Sequence, residues 1–198
     1  MKIISLLWIL LLPAISLKAG QDTFLKSSFN SGAYIGPVLK FSGIETSPGT
    51  FVGVRGGWVI GGTFVIGGGI YELITNLDLR NIGTSSQRGE NNYLGMRYGG
   101  VEFEYINRSH KRIHIAGSLL IGKGMIGTRD RGTLMISVAD YSFNVIEPGL
   151  LLEFNIFNFL RIAPGLSWRF IERFSSPLLD SNQIDGMNAI LIIKLGSF

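Results

Sequence analysis

Three patterns in the sequence combine residue types that could do chemistry, and the first is a glycine motif. Gly122-Lys-Gly124-Met-Ile-Gly127 matches the GxGxxG pattern of dinucleotide-binding proteins. In those proteins a helix follows the motif, and the N-terminus of that helix holds the pyrophosphate. Here the residues that follow, Thr128–Gly132, indicate a loop, and a chain with 27 glycines is expected to match such a pattern by chance. We therefore predict no cofactor.

The second pattern is the pair formed by the only two histidines, His110 and His114. A spacing of four residues makes a metal-binding pair on a helix, but on a strand it separates the residues by about 13 Å, at ~3.3 Å per residue. His114 together with Glu104 could form part of a metal site. A hydrogen-bonded histidine in the protein interior is the simpler interpretation, and we predict no metal site.

The third pattern is a set of hydroxyl and carboxyl groups that a hydrolase would need to bring together with a base. Ser167 is far in sequence from either histidine. An enzyme that uses surface carboxylates stays open as an alternative, although solvated loop acids account for the same residues, and we predict no enzyme. The carboxylates in the predicted connections are Asp78, Glu90, Asp130, Asp140, Asp180 and Asp185.

The composition excludes several classes of protein. Of the 198 residues, 46% are hydrophobic and 16% are charged, and the mean hydropathy is +0.32. Soluble domains carry roughly 25% charged residues, and disordered chains are poor in apolar ones. The chain has no cysteine, which excludes a disulfide framework, a thiolate metal site, a cysteine nucleophile and a lipid anchor on an N-terminal cysteine.

The first 19 residues have the order of an export signal. Met1 and Lys2 give a positive start, residues 3–12 are apolar except for one serine, and Pro13 is followed by small residues. We predict cleavage after Ser16 or Ala19, which leaves residues 20–198 as one domain. Removing Lys2 and Lys18 lowers the 18 basic residues to 16 against 14 acidic ones, and no basic run remains that predicts nucleic-acid binding.

Beyond residue 12 no apolar stretch approaches the length of a membrane-spanning helix, so a membrane protein of this sequence would have to be a closed β-barrel. Segments rich in β-branched and aromatic residues predict eight strands. They are Ala33–Ser42, Thr50–Val59, Thr63–Ile74, Leu94–Ile106, Arg112–Gly122, Phe143–Asn155, Phe159–Glu172 and Met187–Phe198.

The connections between these strands alternate in length. Turns are predicted at residues 60–62, 107–111 and 156–158, and longer connections at 43–49, 75–93, 123–142 and 173–186. Outer-membrane barrels have short periplasmic turns and long external loops. The alternation therefore predicts an up-and-down barrel with both termini in the periplasm. The polar connection at residues 82–92 is the main candidate for binding a surface ligand.

The two faces of the predicted strands distinguish a membrane barrel from a soluble one. One face of the seventh strand is apolar, and the other is small or charged, with Arg161 and Arg169. The less apolar faces suit a narrow barrel interior better than a water-exposed surface. We predict a charge network that fills and closes the lumen, formed by Glu102, Glu104, His114, Glu147, Glu153, Arg161 and Arg169.

Turn lengths predict the pairs within this network. Glu153 is expected opposite Arg161, Glu147 one diagonal step from Arg169, and His114 opposite Glu104. The further interior bases are Lys40, Arg55 and Lys194. The chain ends on Phe198, as many outer-membrane strands do, but this residue shares the parity of Lys194 and not that of the apolar face. Either the last strand ends irregularly or the terminal phenylalanine is coincidental.

Several runs resemble the small outer-membrane β-barrel proteins of Gram-negative bacteria, over most of the chain from Gly32. They are Gly95-Met-Arg-Tyr98-Gly-Gly100-Val-Glu102-Phe-Glu104-Tyr-Ile106, Ile146-Glu147-Pro148-Gly149, Leu152-Glu153-Phe-Asn155 and Arg161-Ile-Ala-Pro-Gly165-Leu-Ser167-Trp-Arg169-Phe. The resemblance implies an all-β, eight-stranded transmembrane barrel in the outer membrane, with no catalytic residues. The expected partners are outer-membrane lipid, the barrel assembly machinery during biogenesis, and an unknown surface ligand.

The main alternative is a secreted soluble barrel of lipocalin type that holds a small apolar ligand in its lumen. The two proteins differ in which face of the sheet meets water. A structural or surface-interaction role in the outer membrane is the favoured hypothesis.

Overall fold

A computed structural model describes residues 31–44, 47–77, 93–129, 138–172 and 184–198. The predicted signal segment at residues 1–19 lies outside these ranges. So do the connection at 82–92 and the acids Asp78, Glu90, Asp130 and Asp180.

Eight strands make up most of the described chain, and each contains the core of a predicted strand. They are β1 Ser31–Ile44, β2 Ser47–Ile60, β3 Phe64–Leu73, β4 Tyr93–Asn107, β5 Ile113–Arg129, β6 Val138–Phe157, β7 Leu160–Glu172 and β8 Gly186–Gly196. Consecutive strands pair antiparallel, and β8 pairs with β1 to close the sheet. The prediction of an eight-stranded up-and-down β-barrel is confirmed. In the described part of the chain no helix has the length and apolar character needed to cross a membrane.

The two ends of the barrel differ in their connections. At one end, here called the turn end, lie residues 61–63, 108–112 and 158–159, together with the start of β1 and the end of β8. At the other end, the loop end, the connections are residues 45–46, 74–92, 130–137 and 173–185. The first of these was predicted to be long, and that prediction is wrong, because β1 and β2 extend toward each other until only two residues separate them.

The turn between β2 and β3 requires glycine. Gly61 and Gly62 have φ values of 60° and 64°, a left-handed conformation that residues with a Cβ atom rarely adopt. Two left-handed residues form the hairpin turn whose twist matches the twist of the flanking strands. The sequence Gly-Gly therefore fixes the register in which Val59 pairs with Val65.

The pleat of each strand places alternate side chains inside and outside the barrel. In β7, Arg161, Ala163, Ser167 and Arg169 are buried, while Leu166, Trp168 and Phe170 are exposed. The same alternation holds along β1 and β8. The core of the protein is therefore the lumen of the barrel, and the outer wall carries the opposite set of side chains.

Candidate functional site

The outer wall of the barrel is apolar over most of its height. Large side chains such as Leu150 and Trp58 are 60% and 59% exposed. Outward-facing runs without a charge extend over residues 113–121 of β5, 146–154 of β6 and 160–170 of β7. Ten consecutive residues of a strand with the usual tilt of barrel strands cover about 25 Å along the barrel axis. This is the height of the apolar band of an outer-membrane barrel.

Charged residues appear on the outer wall only at its loop-end margin within the described strands. They are Glu72, Arg97, Lys123 and Glu172. Arg97 Nη2 donates to Glu72 Oε2 across 2.7 Å, joining β3 to β4. The margin of the apolar band is therefore defined by residues on four strands.

Aromatic side chains border the apolar band at both ends. At the turn end, Phe64 packs on Tyr105 with ring centroids 5.4 Å apart, and Phe157 stacks on Phe159 at 5.6 Å. Toward the loop end, Trp168 packs on Phe170 at 6.2 Å. Amphipathic and aromatic rings gather where hydrocarbon meets the polar interface, and two such girdles are typical of membrane barrels.

The lumen holds ion pairs that connect strands across the barrel. Arg55 Nη2 lies 2.7 Å from Glu102 Oε2 and 3.0 Å from Glu104 Oε2. Lys194 donates to Glu104 and to Glu153, and Tyr71 donates its hydroxyl hydrogen to Glu102. All of these side chains are buried, so each charge needs its partners to offset the loss of water.

Glu153 accepts hydrogen bonds from three side chains in the part of the lumen nearer the turn end. His114 Nε2 lies 2.9 Å from Glu153 Oε2, and Arg161 Nη1 donates to the same oxygen at 3.4 Å. His114 Nδ1 lies 3.0 Å from the backbone carbonyl oxygen of Lys111. A histidine held from both ring nitrogens cannot rotate, so it fixes the position of Glu153.

Glu147 forms a second cluster nearer the loop end. Its oxygens accept from Lys40 Nζ at 2.8 Å, Tyr98 Oη at 2.8 Å and Ser167 Oγ at 2.6 Å. Asn188 Nδ2 donates in turn to Ser167 Oγ at 3.0 Å. The ammonium group of Lys40 also lies 3.4 Å from the centre of the Tyr71 ring, which connects this cluster to the one around Glu102.

The register of the strands corrects two predicted pairs. Glu104 pairs with Ser118, because the β4–β5 hairpin is centred on residue 111, two residues later than predicted. His114 faces Glu153 of β6 instead. The predicted pairing of His114 with Glu104 is therefore wrong. Asn155 is the residue opposite Arg161, so that Glu153 reaches this arginine along a diagonal.

Arg169 uses its guanidinium group differently from the prediction. The register between β6 and β7 brings it level with Glu147, but its hydrogen bonds go to Ser42 Oγ and to the carbonyl oxygen of Ile184. The Cζ atom of its guanidinium group also lies 4.9 Å from the centre of the Phe51 ring. It thereby ties the loop end of the lumen to the segment that precedes β8.

Asp185, in that segment, is a loop acid that the structure describes. Its carboxylate accepts a hydrogen bond of 2.6 Å from the backbone N–H of Ile171. Burial raises the pKa of the Asp185 carboxyl above its ordinary value, although this hydrogen bond and the nearby Arg169 charge act in the opposite direction. The carboxylate therefore holds the start of β8 against β7.

Phe198 lies inside the turn end of the barrel and not on the outer wall. Its ring stacks on Tyr34 at 6.0 Å, and the Arg161 guanidinium lies 3.9 Å from its centre. Strand β8 ends at Gly196, while the backbone N–H of Ser197 still donates to the carbonyl oxygen of Ala33. Phe198 shares the parity of the inward-facing Lys194, and this parity places its ring inside the barrel.

The side chains leave almost no space in the middle of the lumen. The cavity between Lys40, Arg55, Tyr71, Glu102 and Glu147 has a volume of about 10 Å³. A single water molecule needs roughly 10–15 Å³ of such volume. The described lumen is therefore filled to within about one water molecule at this level.

The seven residues predicted for the network all point into the lumen and are buried, and six of them join ion pairs there. Sequence reasoning missed the polar groups without charge, namely Tyr71, Tyr98 and Asn188. Tyr98 shares the parity of Glu102 and Glu104, and that parity is the signal that could have found it. Among the described residues, no group of three or more His, Asp or Glu side chains could hold a metal ion.

Two solved structures are similar to this barrel over most of its length. The structure of Neisserial surface protein A, NspA, matches 85% of this chain and 96% of its own, with a TM-score of 0.54 and 5% sequence identity. Ail, the attachment invasion locus protein of Yersinia pestis, matches 85% of this chain and 98% of its own in its complex with the heparin analogue sucrose octasulfate, with a TM-score of 0.52 and 10% identity. Both are small eight-stranded outer-membrane barrels of Gram-negative bacteria.

The chain has the fold of a small outer-membrane β-barrel. At 5% and 10% identity the likeness defines the fold alone. No protein-family model matches the chain, and no curated protein matches it.

Proposed function

We propose that the chain is an integral outer-membrane protein whose barrel is a closed scaffold for the connections at its loop end. The exposed apolar band on the outer wall carries this proposal. In water this apolar surface would be exposed around the whole barrel, whereas soluble monomers rarely expose contiguous apolar patches larger than a few hundred square ångströms. Hydrocarbon accepts the same surface without cost.

The faces of the sheet are reversed relative to a lipocalin-type barrel. A soluble barrel that holds an apolar ligand needs an apolar lumen and a polar outer wall. Here the lumen holds Lys40, Arg55, Glu147 and Lys194, and the outer wall is apolar. The middle of the lumen also has no volume for a ligand.

The turn end would lie in the periplasm and the loop end outside the cell. The three connections at the turn end are short and three of the four at the loop end are longer, and this asymmetry, which barrels in the outer membrane have, supports the orientation. The termini would then be periplasmic, consistent with residues 1–19 acting as an export signal and with delivery to the barrel assembly machinery. Partners of the mature protein would be outer-membrane lipid and a surface ligand bound at the loop end.

The role we propose is structural or surface-interacting, without catalysis. The fold neighbour Ail was solved with a heparin analogue, so a barrel of this fold can bind a polyanionic sugar. In the present chain the longest loop-end connection, residues 74–92, includes the polar stretch at 82–92, which is the main candidate for binding a surface ligand. A deletion strain challenged with detergents, antibiotics and surface ligands would identify the process that depends on the protein.

Cysteine labelling tests the location and the orientation together, because the chain has no cysteine of its own. Asn76→Cys places a thiol at the loop end, and Ser109→Cys places one in a turn at the other end. In intact Gram-negative cells a membrane-impermeant maleimide should label Asn76→Cys, and it should label Ser109→Cys only after the outer membrane is permeabilised. Equal labelling of both in intact cells, or recovery of the protein in the soluble periplasm, would contradict the proposal.

Planar-bilayer recording tests the closed lumen separately. The purified barrel should give no stable channels, since the ion pairs leave room for about one water molecule. Large and stable conductance steps would show that the lumen is open, whatever the location of the protein.

A further inference from the structure

The turn end of the barrel carries a concentration of positive charge that the proposed scaffold role does not use. The β4–β5 turn includes Arg108, His110, Lys111 and Arg112, and all four side chains are exposed. Within the described chain the acids nearest this end are Glu104 and Glu153, both buried. Each of their four oxygens already accepts from a lysine, an arginine or His114. No acidic side chain on the described surface of the turn end neutralises this charge.

A polar cavity of about 510 Å³ opens between the three turns at this end. Volumes of this size are typical of small-molecule sites. Gly61 and Gly62 line one side of the cavity. The β4–β5 turn lines another with Ser109, His110 and Arg112, and Asn158 lines the third. Arg161 and Phe198 close it toward the lumen, so the cavity has a basic floor as well as a basic rim.

Arg161 is the part of this cavity that is built for a ligand. The side chain is only 5% exposed, and its one hydrogen bond, through Nη1 to Glu153, is long at 3.4 Å. Within the described chain Nε and Nη2 make no hydrogen bond, although they belong to a residue that lines the cavity. These two nitrogens are not sealed from solvent, so they are free to donate into the cavity, and the planar guanidinium fits a phosphate oxygen pair.

The turn that carries the basic rim is held in place before any ligand arrives. Asn155 Nδ2 donates to the carbonyl oxygens of Ser109 at 2.9 Å and Lys111 at 2.7 Å. The backbone N–H of Asn155 donates to the carbonyl oxygen of Arg112 at 2.9 Å. A rigid turn loses less conformational entropy on binding than a free one.

We propose that this cavity is a phosphate-binding site, with Arg161 at its floor and Arg112 and His110 at its rim. The phosphate group could come from a phospholipid head group at the rim or from a soluble phosphate compound. The chemistry is the same in both cases, because arginine forks and a concave positive surface recognise the anionic phosphate oxygens.

Isothermal titration calorimetry on the full-length barrel in non-ionic detergent tests the site. One arm titrates inorganic phosphate, and the other titrates a short-chain phosphatidylglycerol below its micellar concentration, both at constant ionic strength. We expect saturable binding in at least one arm. Binding of inorganic phosphate identifies a soluble ligand, and binding of the lipid alone identifies a head group.

Three variants locate the binding. Arg161→Gln and Arg112→Gln should each weaken it about tenfold, the usual loss for one charge-assisted contact. Lys123→Gln removes an exposed base from the outer wall near the other end and should leave binding unchanged. Arg112→Gln keeps the test valid if Arg161→Gln fails to fold, because Arg112 is exposed and joins no described ion pair.

Two results would overturn the site. One is the absence of saturable heat in both arms. The other is an affinity that Arg112→Gln and Arg161→Gln leave unaltered, or that Lys123→Gln lowers equally, because binding would then reflect net charge and not this cavity.

Discussion

The middle of the lumen and its loop-end layer are filled by opposite kinds of side chain. From the middle toward the turn end, Lys194, Glu104 and Glu153 are fully paired in a buried ionic network. Toward the loop end, Phe51, Leu73, Met96, Ile126 and Phe143 pack with almost no exposure. Ion pairs demand particular partners, whereas apolar packing demands only volume. The middle, ionic layer therefore specifies which strands face each other, and the apolar layer adds stability that depends little on identity.

The largest effect should come from breaking the ionic layer. Lys194→Met leaves Glu104 and Glu153 each short of a buried cation, and removing one partner of a buried pair costs about 3–5 kcal/mol. Urea unfolding in detergent or lipid, followed by heat-modifiable gel mobility, measures the loss. The double variant Lys194→Met/Glu104→Gln should recover part of it, since one carboxylate charge is removed. A stability equal to that of the unaltered barrel would show that the ionic layer does not specify the fold.

A cavity in the apolar layer should cost somewhat less. Met96 is fully buried, and Met96→Ala should lower the unfolding free energy by about 2–5 kcal/mol. Met96→Leu is the matched control, because it keeps the volume and should cost under about 1.5 kcal/mol. If the leucine variant is as unstable as the alanine variant, this layer depends on side-chain identity, and the contrast with the ionic layer disappears.

On the outer wall, the cost of a lysine substitution should depend on its depth in the apolar band. Leu150 lies at the centre of the apolar run of β6, whereas Ile156 lies at its turn-end margin. A lysine at the bilayer midplane costs about 2–4 kcal/mol, and near the interface about 0–1 kcal/mol. Leu150→Lys should therefore destabilise the barrel in lipid more than Ile156→Lys does. Equal effects in refolding experiments would contradict the position of the band.

The smallest effect belongs to the ion pair on the outer wall. Arg97 is 36% exposed, and its pair with Glu72 is partly screened by water. Arg97→Gln should change the unfolding free energy by about 0.2–1 kcal/mol. A loss as large as that of Lys194→Met would mean that the loop-end margin is buried in the membrane.

Strand faces were predictable wherever one face is apolar and the other is small or charged. Strands β6 and β7 have this pattern, so the inward positions of Glu147, Glu153, Arg161 and Arg169 follow from parity alone. Register was not predictable, because it depends on turn length and on bulges. A two-residue shift in the centre of the β4–β5 hairpin moved the partner of Glu104 from His114 to Ser118.

The loop-end layer was harder to predict for a different reason. Near Leu94 and Met96, and again near Ile126, inward residues are apolar or small, so no alternation of polarity marks the strand. Strands β5 and β6 therefore extend beyond the predicted segments, to Arg129 and back to Val138. The neutral partners Tyr71 and Tyr98 also carry no charge signal, although their hydroxyl groups complete the ionic layer.

The order of charges along the chain has a consequence for how the barrel is made. The lysines and arginines of the lumenal ion pairs lie on β1, β2, β7 and β8, while the carboxylates lie on β4 and β6. Arg161 meets Glu153 on the neighbouring strand, so this pair needs no closure. Lys40 and Lys194 lie on the two strands that meet at the seam, and they reach Glu147 and Glu104 only across the curled sheet. In an open sheet these two lysines would face hydrocarbon or water without those partners. For these two lysines closure and neutralisation are one event, so a partly curled sheet in the bilayer would be less stable than the closed barrel.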